Sequence, residues 1–459
     1  MVHLAEGDCF IPLLLLSATF CICRSFWCMI KVYAWFLYKP NKPIPTPAYK
    51  PAQDVTILVS TTSTKMIHKP VVECWLSCYA KQVIIVTEET VVDGSFETIA
   101  SDQKQLRVIT MPQADMRERI LKGINAATTD IIVFADQKTT WKPSVLDWIL
   151  ACFEDLKIGA IDITSTSAHE NGGSQNVWNV MERFHASVCN SEAAAATYID
   201  GGTTTIWESI PAYRTVILKD PSFQEAFKSD VWLGKQLQNF DDAKQHIWRW
   251  MVSHGWNTRS QICEEDALIS RSCTHDRRFT KLMLHYSRSA LRSDLLSLFV
   301  IRRIWCRHPY TALVMLSRML DPFVLLFIFA IVIAFLGRQI EQLGSIAAYP
   351  VPAWAILVAY VLWILLSCAM ELLPHFTRQL TDVLYLPFWV LFTHFIAILK
   401  LYSFCTIYAT SSTTREERYR QDKQERVIHH SQSQQNDTAS RPFYIPPYTD
   451  PRVDYFVHK

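Results

Sequence analysis

The stretch "DIIVFADQKTTWKP", Asp130 to Pro143, decides how this chain is read. Apolar residues run up to Asp136 as a buried strand delivers an acid to the carboxyl edge of a sheet, and Gln137 and Lys138 come next. Pro143 then stands near the first turn of a predicted helix, Lys142 to Leu156, in which Leu146, Ile149, Leu150 and Phe153 recur at i, i+3, i+4 and i+7. Toward the amino terminus, "DVTILVS" (54–60) and "VIIVTEE" (83–89) are short runs rich in β-branched residues. Ile67 to Ala80 lies between them with helical content, and Met116 to Thr128 is a second helix leading into "DIIVFAD". Strands alternating with helices predict a parallel α/β sheet with ligands at the strand carboxyl ends, where Asp136 stands.

At 459 residues and 50% hydrophobic, the chain is long enough for two or three domains and too apolar to be wholly soluble. The net charge of +2 averages segments of very different character, and no nucleic-acid partner is expected from it. Thirteen cysteines are scattered without a Cys-x-x-Cys or Cys/His ligand spacing, so they read as reduced, packed thiols.

The first hydrophobic segment, Cys9 to Cys23, continues past Arg24 and Lys31 to Tyr38. Glu6 and Asp8 precede it, whereas Arg24, Lys31, Lys39, Lys42 and Lys50 lie on its other side, an asymmetry that places the succeeding part of the chain in the cytosol. "KPNKPIPTPAYKP", Lys39 to Pro51, reads as a stiff linker. The region from Arg271 to His308 carries nine Lys and Arg against two Asp, with Leu291, Leu295, Leu298 and Phe299 as an apolar stripe. It fits a membrane-surface helix with snorkelling arginines, or one facing an anionic substrate. Pro322 to Leu336 and Val351 to Met370 are candidate spans; Val383 to Ala409, with Pro387, His394 and Lys400, is a third apolar segment. Two crossings return the chain to the cytosol near Glu371. The basic tail of Arg415, Arg418, Arg420, Lys423 and Arg426 favours staying there, so the third segment is expected to be interfacial or re-entrant. The expected divisions are a transmembrane segment 1–38, a linker 39–53, an α/β domain 54–270, basic interface helices 271–310, membrane helices 311–412 and a tail 413–459.

Several stretches resemble the fungal branch of family-2 glycosyltransferases, membrane polysaccharide synthases similar to hyaluronan synthase. They are "DVTILVS", "ATTDIIVFAD" with Trp141 beyond it, "FEDLKIGAI", "YIDGGTTT", "AYRTVILKDPSF", "RWMVSHGW" and "YSRSALRSDLLSLF" running into "RHPY", in order from Asp54 to Tyr310. "TTR" at Thr413 to Arg415 falls where that family has Trp-Gly-Thr-Arg. The resemblance implies a GT-A-like α/β domain, the nucleotide-diphospho-sugar transferase fold, followed by interface helices and α-helical membrane segments. It also implies a nucleotide sugar donor, usually a uridine diphosphate sugar with Mg or Mn, a glycan or other acceptor, and contact with membrane lipid.

The family's reactive motifs are altered in this chain. Asp-x-Asp, where two carboxylates hold a divalent cation against the diphosphate, keeps Asp136 and has Lys138 in the second place. The catalytic Asp pair before "RWMVSHGW" aligns without gaps on Ala243 and Lys244; a two-residue shift recovers Asp241 and Asp242 as candidate bases. Gln-x-x-Arg-Trp lies over Leu282, His285 and Tyr286, and Trp207, Glu208, Ser209 and Ile210 replace small residues after "DGG". Candidate donor-binding residues are therefore Asp136, Lys138, Arg117 and Asp200, the last because an acid before two glycines lets backbone approach a ligand. Candidate acceptor-binding residues are His285, Tyr286 and Arg288, and the candidate metal ligand is Asp136.

Three readings are open: an atypical transferase in which the Lys138 ammonium neutralises phosphate charge; a pseudoenzyme that binds nucleotide or a partner; and a membrane protein unrelated to sugar chemistry. Against the last, Lys400 and His394 are the only obvious ionisable residues in the late segments, too few for a relay. His254 reads as a turn residue, and Arg214 and Arg249 as structural ion-pair partners or site residues.

Overall fold

The computed structural model describes residues 10–62, 67, 69–88, 104–111, 115–136, 139–167, 177–203, 209–237, 240–263, 269–271, 278–341 and 353–409. Its strands are β1 (Val55–Thr61), β2 (Gln82–Thr87), β3 (Leu106–Thr110), β4 (Ile131–Phe134), β5 (Thr139–Trp141), β6 (Ile158–Ile163), β7 (Ser165–Ser167), β8 (Ile210–Arg214), β9 (Val231–Trp232), β10 (Lys235–Gln236), β11 (Asn257–Gln261) and β12 (Ile269–Arg271). Seven of them form one sheet in the order β11-β6-β8-β4-β1-β2-β3. The predicted strands are present, and β1 and β4 are buried on both faces, which is why their apolar runs are continuous rather than alternating. The sheet is mixed rather than purely parallel, because β8 runs antiparallel to both β4 and β6. β8 thus begins at the edge where β4 and β6 end: Pro211 lies opposite Asp162, and Ala212 opposite Val133. A smaller sheet, β5-β12-β7, uses the chain just after Asp136.

Helices α1 (Phe10–Leu37), α2 (Lys69–Ser77), α3 (Met116–Ala126), α4 (Val145–Phe153), α5 (Val177–Asp200), α6 (Pro221–Lys228) and α7 (Phe240–Ser253) precede or cover the sheet. α2 and α4 pack one face with Val72, Trp75, Ile149 and Phe153 against Ile57, Val133 and Ile161. α3, α6 and α7 cover the other, with Ile120, Phe223, Phe227, Ile247 and Met251 against Leu58, Ile132 and Tyr213. This is a three-layer α/β arrangement with an apolar core on each side of the sheet. A capping box starts α3: the Asp115 carboxylate accepts from Glu118 N at 2.8 Å, while the Asp115 N–H donates back to Glu118 at 3.3 Å. α4 is shorter than the periodicity predicts, because the residues after Pro143 form a turn, with Val145 N donating to the Lys142 carbonyl, before the helix begins.

Beyond the sheet come α8 (Arg278–Leu295), a π-helical turn (Leu296–Ile301), a short helix (Arg303–Arg307), α9 (Pro309–Glu341), α10 (Ala353–Glu371) and α11 (Leu386–Cys405). Among the described residues four helices are long and apolar enough to cross a membrane: Leu15–Leu37, Pro309–Gly337, Trp354–Glu371 and Leu380–Cys405. The last differs from the interfacial segment expected: its 26 residues suffice for a span by length and composition. α9 begins thirteen residues before Pro322, which the helix accommodates internally. The small residues Ala195 and Ala196 of α5 let α1 pack closely through Ala34, beside the stacked Trp27 and Tyr310 rings at 5.2 Å.

The expectation of sparse membrane charge is corrected by partners that sit on distant segments. Arg24 pairs with Asp321 at 3.1 Å and Lys31 with Glu371 at 2.7 Å, each across two candidate spans. All eleven cysteines among the described residues are free. The tail from 410 onward, with "TTR", lies outside the described residues.

Candidate active site

The carboxyl edge of β4 carries Asp136 into a tight turn. Ala135 N donates to the Leu58 carbonyl at 2.9 Å, and the Asp136 carbonyl accepts from Thr139 N at 3.1 Å and Thr139 Oγ1 at 2.8 Å. Lys138 lies outside the described residues, as do Trp207 and Glu208. The same edge opens, on the α7 side, into a cleft of about 480 Å³, counting the open solvent at its mouth. Its floor is Ala160 and Asp162 of β6 with Pro211 and Tyr213 of β8. α7 contributes Asp241, Lys244, Gln245 and Trp248 to one wall, and β11 supplies Thr258 and Arg259. Tyr286 of α8 closes the rim together with Thr203 and Ser209.

The wall from α7 is set by helical geometry. Adjacent residues point about 100° apart, and of the neighbours Asp241 and Asp242 only the first lines the cleft. Asp241 is paired with Lys244 at 3.4 Å one turn on. Asp242 is turned away and buried, with both oxygens held at 2.9 Å by the Arg292 guanidinium of α8. The Lys244 ammonium also donates to the Ser209 carbonyl at 3.4 Å and lies 5.3 Å from the centre of the Phe240 ring. Trp248 is fixed by its indole N–H donating to Thr203 Oγ1, which in turn donates to Thr258 Oγ1 at 3.0 Å.

Asp162 falls in no family motif, although an acid breaking the buried run "IGAIDI" is a signal in its own right. Burial pushes its carboxyl up to about 6, with the Lys244 charge and a hydrogen bond from Ser209 acting the other way. Burial likewise pushes the Tyr213 and Tyr286 phenols well up, so both rings face the cleft uncharged. Two carboxyls, an ammonium, an amide and aromatic faces around one cleft suit a polyhydroxylated ligand and offer an acid–base group to it.

The other sequence-derived residues are placed elsewhere. Arg117 is buried, and its guanidinium donates to the Leu237 carbonyl, the Phe227 carbonyl and Asp230, each at 2.7 Å. All three guanidinium nitrogens thus take part in packing α3 against the β9–β10 region. Asp200, expected at the donor, forms a clasp on α9. Its carboxylate accepts from Gly202 N at 2.9 Å, Thr311 N at 2.9 Å and Thr311 Oγ1 at 2.8 Å, while its carbonyl meets His308 Nδ1 at 2.9 Å. Arg288 donates to Thr406 Oγ1 from Nε at 3.0 Å and Nη2 at 2.8 Å, at the end of α11 and away from the cleft. His285 is half-buried on α8 next to Tyr286, the acceptor candidate that does line the cleft.

Arg214 donates to the Ile158, Phe153 and Asp155 carbonyls and to the Tyr49 hydroxyl, and Arg249 lies 3.7 Å from Asp230, so both are structural. His254 stacks on Trp250 with centroids 3.7 Å apart in the turn after α7. Among the described residues no group of three His, Cys, Asp or Glu could hold a metal ion. Asp136, the metal ligand expected from the sequence, offers one carboxylate, an oxygen donor of the kind that Mg and Mn take.

The sequence pattern described as "Glycosyltransferase like family 2" matches residues 51–281, which spans the sheet, the cleft apart from Tyr286, and the start of α8. A "Type 2 glycosyltransferase" of Pyricularia oryzae is 27% identical over 395 residues, covering 84% of this chain and 79% of the relative. Another from Gibberella zeae is 27% identical over 413 residues, covering 87% and 75%. Among solved structures, the mannosyltransferase PcManGT from Pyrobaculum calidifontis, in complex with GDP-Man and Mn2+, superposes with a TM-score of 0.50 at 14% identity, covering 84% of this chain and 97% of that one. That likeness is one of fold.

Proposed function

Because the chain belongs to glycosyltransferase family 2 and uses the GT-A-like fold, we propose that it is a membrane-bound transferase of the polysaccharide-synthase type. In this reading it moves a hexosyl unit from a nucleotide sugar, a UDP sugar in the first instance, to a glycan or other acceptor. The observation that carries the reading is the cleft of Asp162, Asp241, Lys244, Trp248 and Tyr286 at the sheet edge that also bears Asp136. The donor diphosphate lies at the β4 end beside Asp136, and the acceptor lies in the cleft against Trp248 and Tyr286. A divalent cation bound through Asp136 would neutralise charge on the leaving diphosphate. Lys138 offers an ammonium for the same purpose two residues on. The acceptor hydroxyl is deprotonated within the cleft, which Asp241 lines as the contribution of α7. The α/β domain faces the cytosol, where nucleotide sugars are found, with lipid around the apolar helices.

One observation favours a second reading, a scaffold without turnover: Asp242, Arg117 and Asp200 all have their charged atoms engaged inside the fold. Incubation of the full chain with UDP-glucose, UDP-N-acetylglucosamine and GDP-mannose, with and without manganese, decides between them. Asp136-dependent sugar transfer is the expected result. Nucleotide binding without any transfer selects the scaffold.

A further inference from the structure

We infer that Asp162 is the general base for the acceptor hydroxyl, with the Asp241–Lys244 pair positioning it from across the cleft; the inference rests on the transferase reading above. Three carboxylates stand in or beside the cleft, and they differ in what they have left to give. Asp242 is held through both oxygens by Arg292. Asp241 is paired with Lys244 and partly open to water. Asp162 alone combines a place on the cleft floor with an oxygen, Oδ1, that is closed to solvent and has no hydrogen-bond partner among the described residues. An orphaned acceptor atom of this kind is costly unless a ligand completes it.

The surroundings suit proton transfer. Lys244 and Asp241 face Asp162 from α7, Arg259 from β11, Tyr213 from β8 and Tyr286 from α8, with Ser209 alongside. The nearby ammonium keeps the carboxyl from being driven higher by burial, so it works at neutral pH as a carboxylate with an elevated proton affinity, up to about 6. In the step, Asp162 takes the proton of the acceptor hydroxyl while that oxygen bonds to the anomeric carbon. The bond from this carbon to the diphosphate oxygen breaks, its electron pair leaves on the nucleoside diphosphate, and the proton passes later from Asp162 to water.

The test uses the full chain in lipid nanodiscs, with UDP and GDP as binding probes and the three nucleotide sugars above as donors. Asp162→Asn is expected to keep nucleotide affinity within about twofold and to lose transfer by about 10²- to 10⁴-fold. The wild-type kcat should fall on the acid side of about pH 6, and that limb should be missing from the residual activity of the variant. Independently of any donor, difference infrared spectroscopy should show a carboxyl band titrating near pH 6 that is lost in Asp162→Asn, over the one from Asp294, which burial also pushes up to about 6 and which remains. A variant that turns over within about threefold of wild type with the acid limb intact overturns the base assignment and leaves the transferase reading standing. Wild type that binds nucleotide yet transfers nothing overturns the transferase reading, and the base role with it. Absence of the infrared band overturns the assigned protonation behaviour, and with it the base.

Discussion

The guanidinium of Arg292 on α8 holds both carboxylate oxygens of Asp242 on α7 at 2.9 Å, and each side chain is only 4% exposed. The pair joins the sheet-covering helix to the first helix of the membrane-proximal region. A buried pair broken on one side leaves an uncompensated charge, at about 3–5 kcal/mol. Asp242→Asn and Arg292→Met should therefore each lower stability by roughly that amount while sparing nucleotide affinity. Equilibrium unfolding in detergent combined with UDP titration checks this. A variant of normal stability that has lost only turnover would return Asp242 to the chemistry.

The Asp230 carboxylate receives Arg117 at 2.7 Å and His246 Nδ1 at 3.0 Å. Burial alone would raise its pKa, but the hydrogen bond from His246 and the charges of Arg249 and Arg117 outweigh it and hold it at about 2. Burial lowers His246, so the imidazole donates as the neutral form. A carboxyl depressed below its unfolded value stabilises the fold above that value, and the contribution disappears as pH falls through the folded one. Stability on the order of 2 kcal/mol should thus be lost between about pH 4 and pH 2. Asp230→Asn should remove that acid-sensitive part, which a series of denaturant midpoints against pH will show.

Where the strands lie was legible, because β1, β2 and β4 are unbroken apolar runs rich in β-branched residues and buried on both faces. β3 was not legible: it is a short edge strand whose residues are only partly buried. The cleft was half legible. Asp241 and Tyr286 were reachable from motif positions, and Asp162 from the cost of placing an acid in a buried strand. Arg117, Asp200 and Arg288 could not be assigned from sequence, because each has a partner more than 100 residues away along the chain. A motif identifies a residue type near a site; only the packing says whether its donors are already engaged.

Gly202 sits where the Asp200 clasp meets α9. A Cβ there would press on the Thr311 hydroxyl and approach Asp200 Oδ1 to 2.9 Å, and Gly201 before it occupies φ +69°. Gly202→Ala should cost about 1–3 kcal/mol by forcing the clasp apart, and Thr311→Val, which removes one of the donors to Asp200, about 1–2 kcal/mol. Thermal unfolding of both variants, with UDP binding as the control for the sheet edge, tests the assignment of Asp200 to structure. Loss of UDP affinity at unchanged Tm would place Asp200 at the donor after all.

Lys138 follows Asp136 by two residues in the sequence, and in the proposed reading its ammonium neutralises diphosphate charge alongside any cation held by one carboxylate. Turnover should persist in excess EDTA, and Lys138→Met should lose about 10²- to 10³-fold in kcat, the scale on which one preorganised charge is felt. Activity abolished by EDTA and restored by manganese would show that the cation, and not Lys138, carries the neutralisation.

The Lys31–Glu371 pair ties the first candidate span to the third at 2.7 Å, and both side chains are largely buried, at 8% and 19% exposure. Neither residue tolerates the loss of the other in an apolar setting, whereas removing both charges together leaves nothing uncompensated. Lys31→Met and Glu371→Leu are each expected to lower stability in detergent by about 3 kcal/mol. The double variant Lys31→Met/Glu371→Leu should recover most of that loss. A double-mutant cycle measures the coupling directly. Single losses that simply add in the double variant would mean that the two charges are solvated separately, and the helices would then owe their packing to apolar contacts alone.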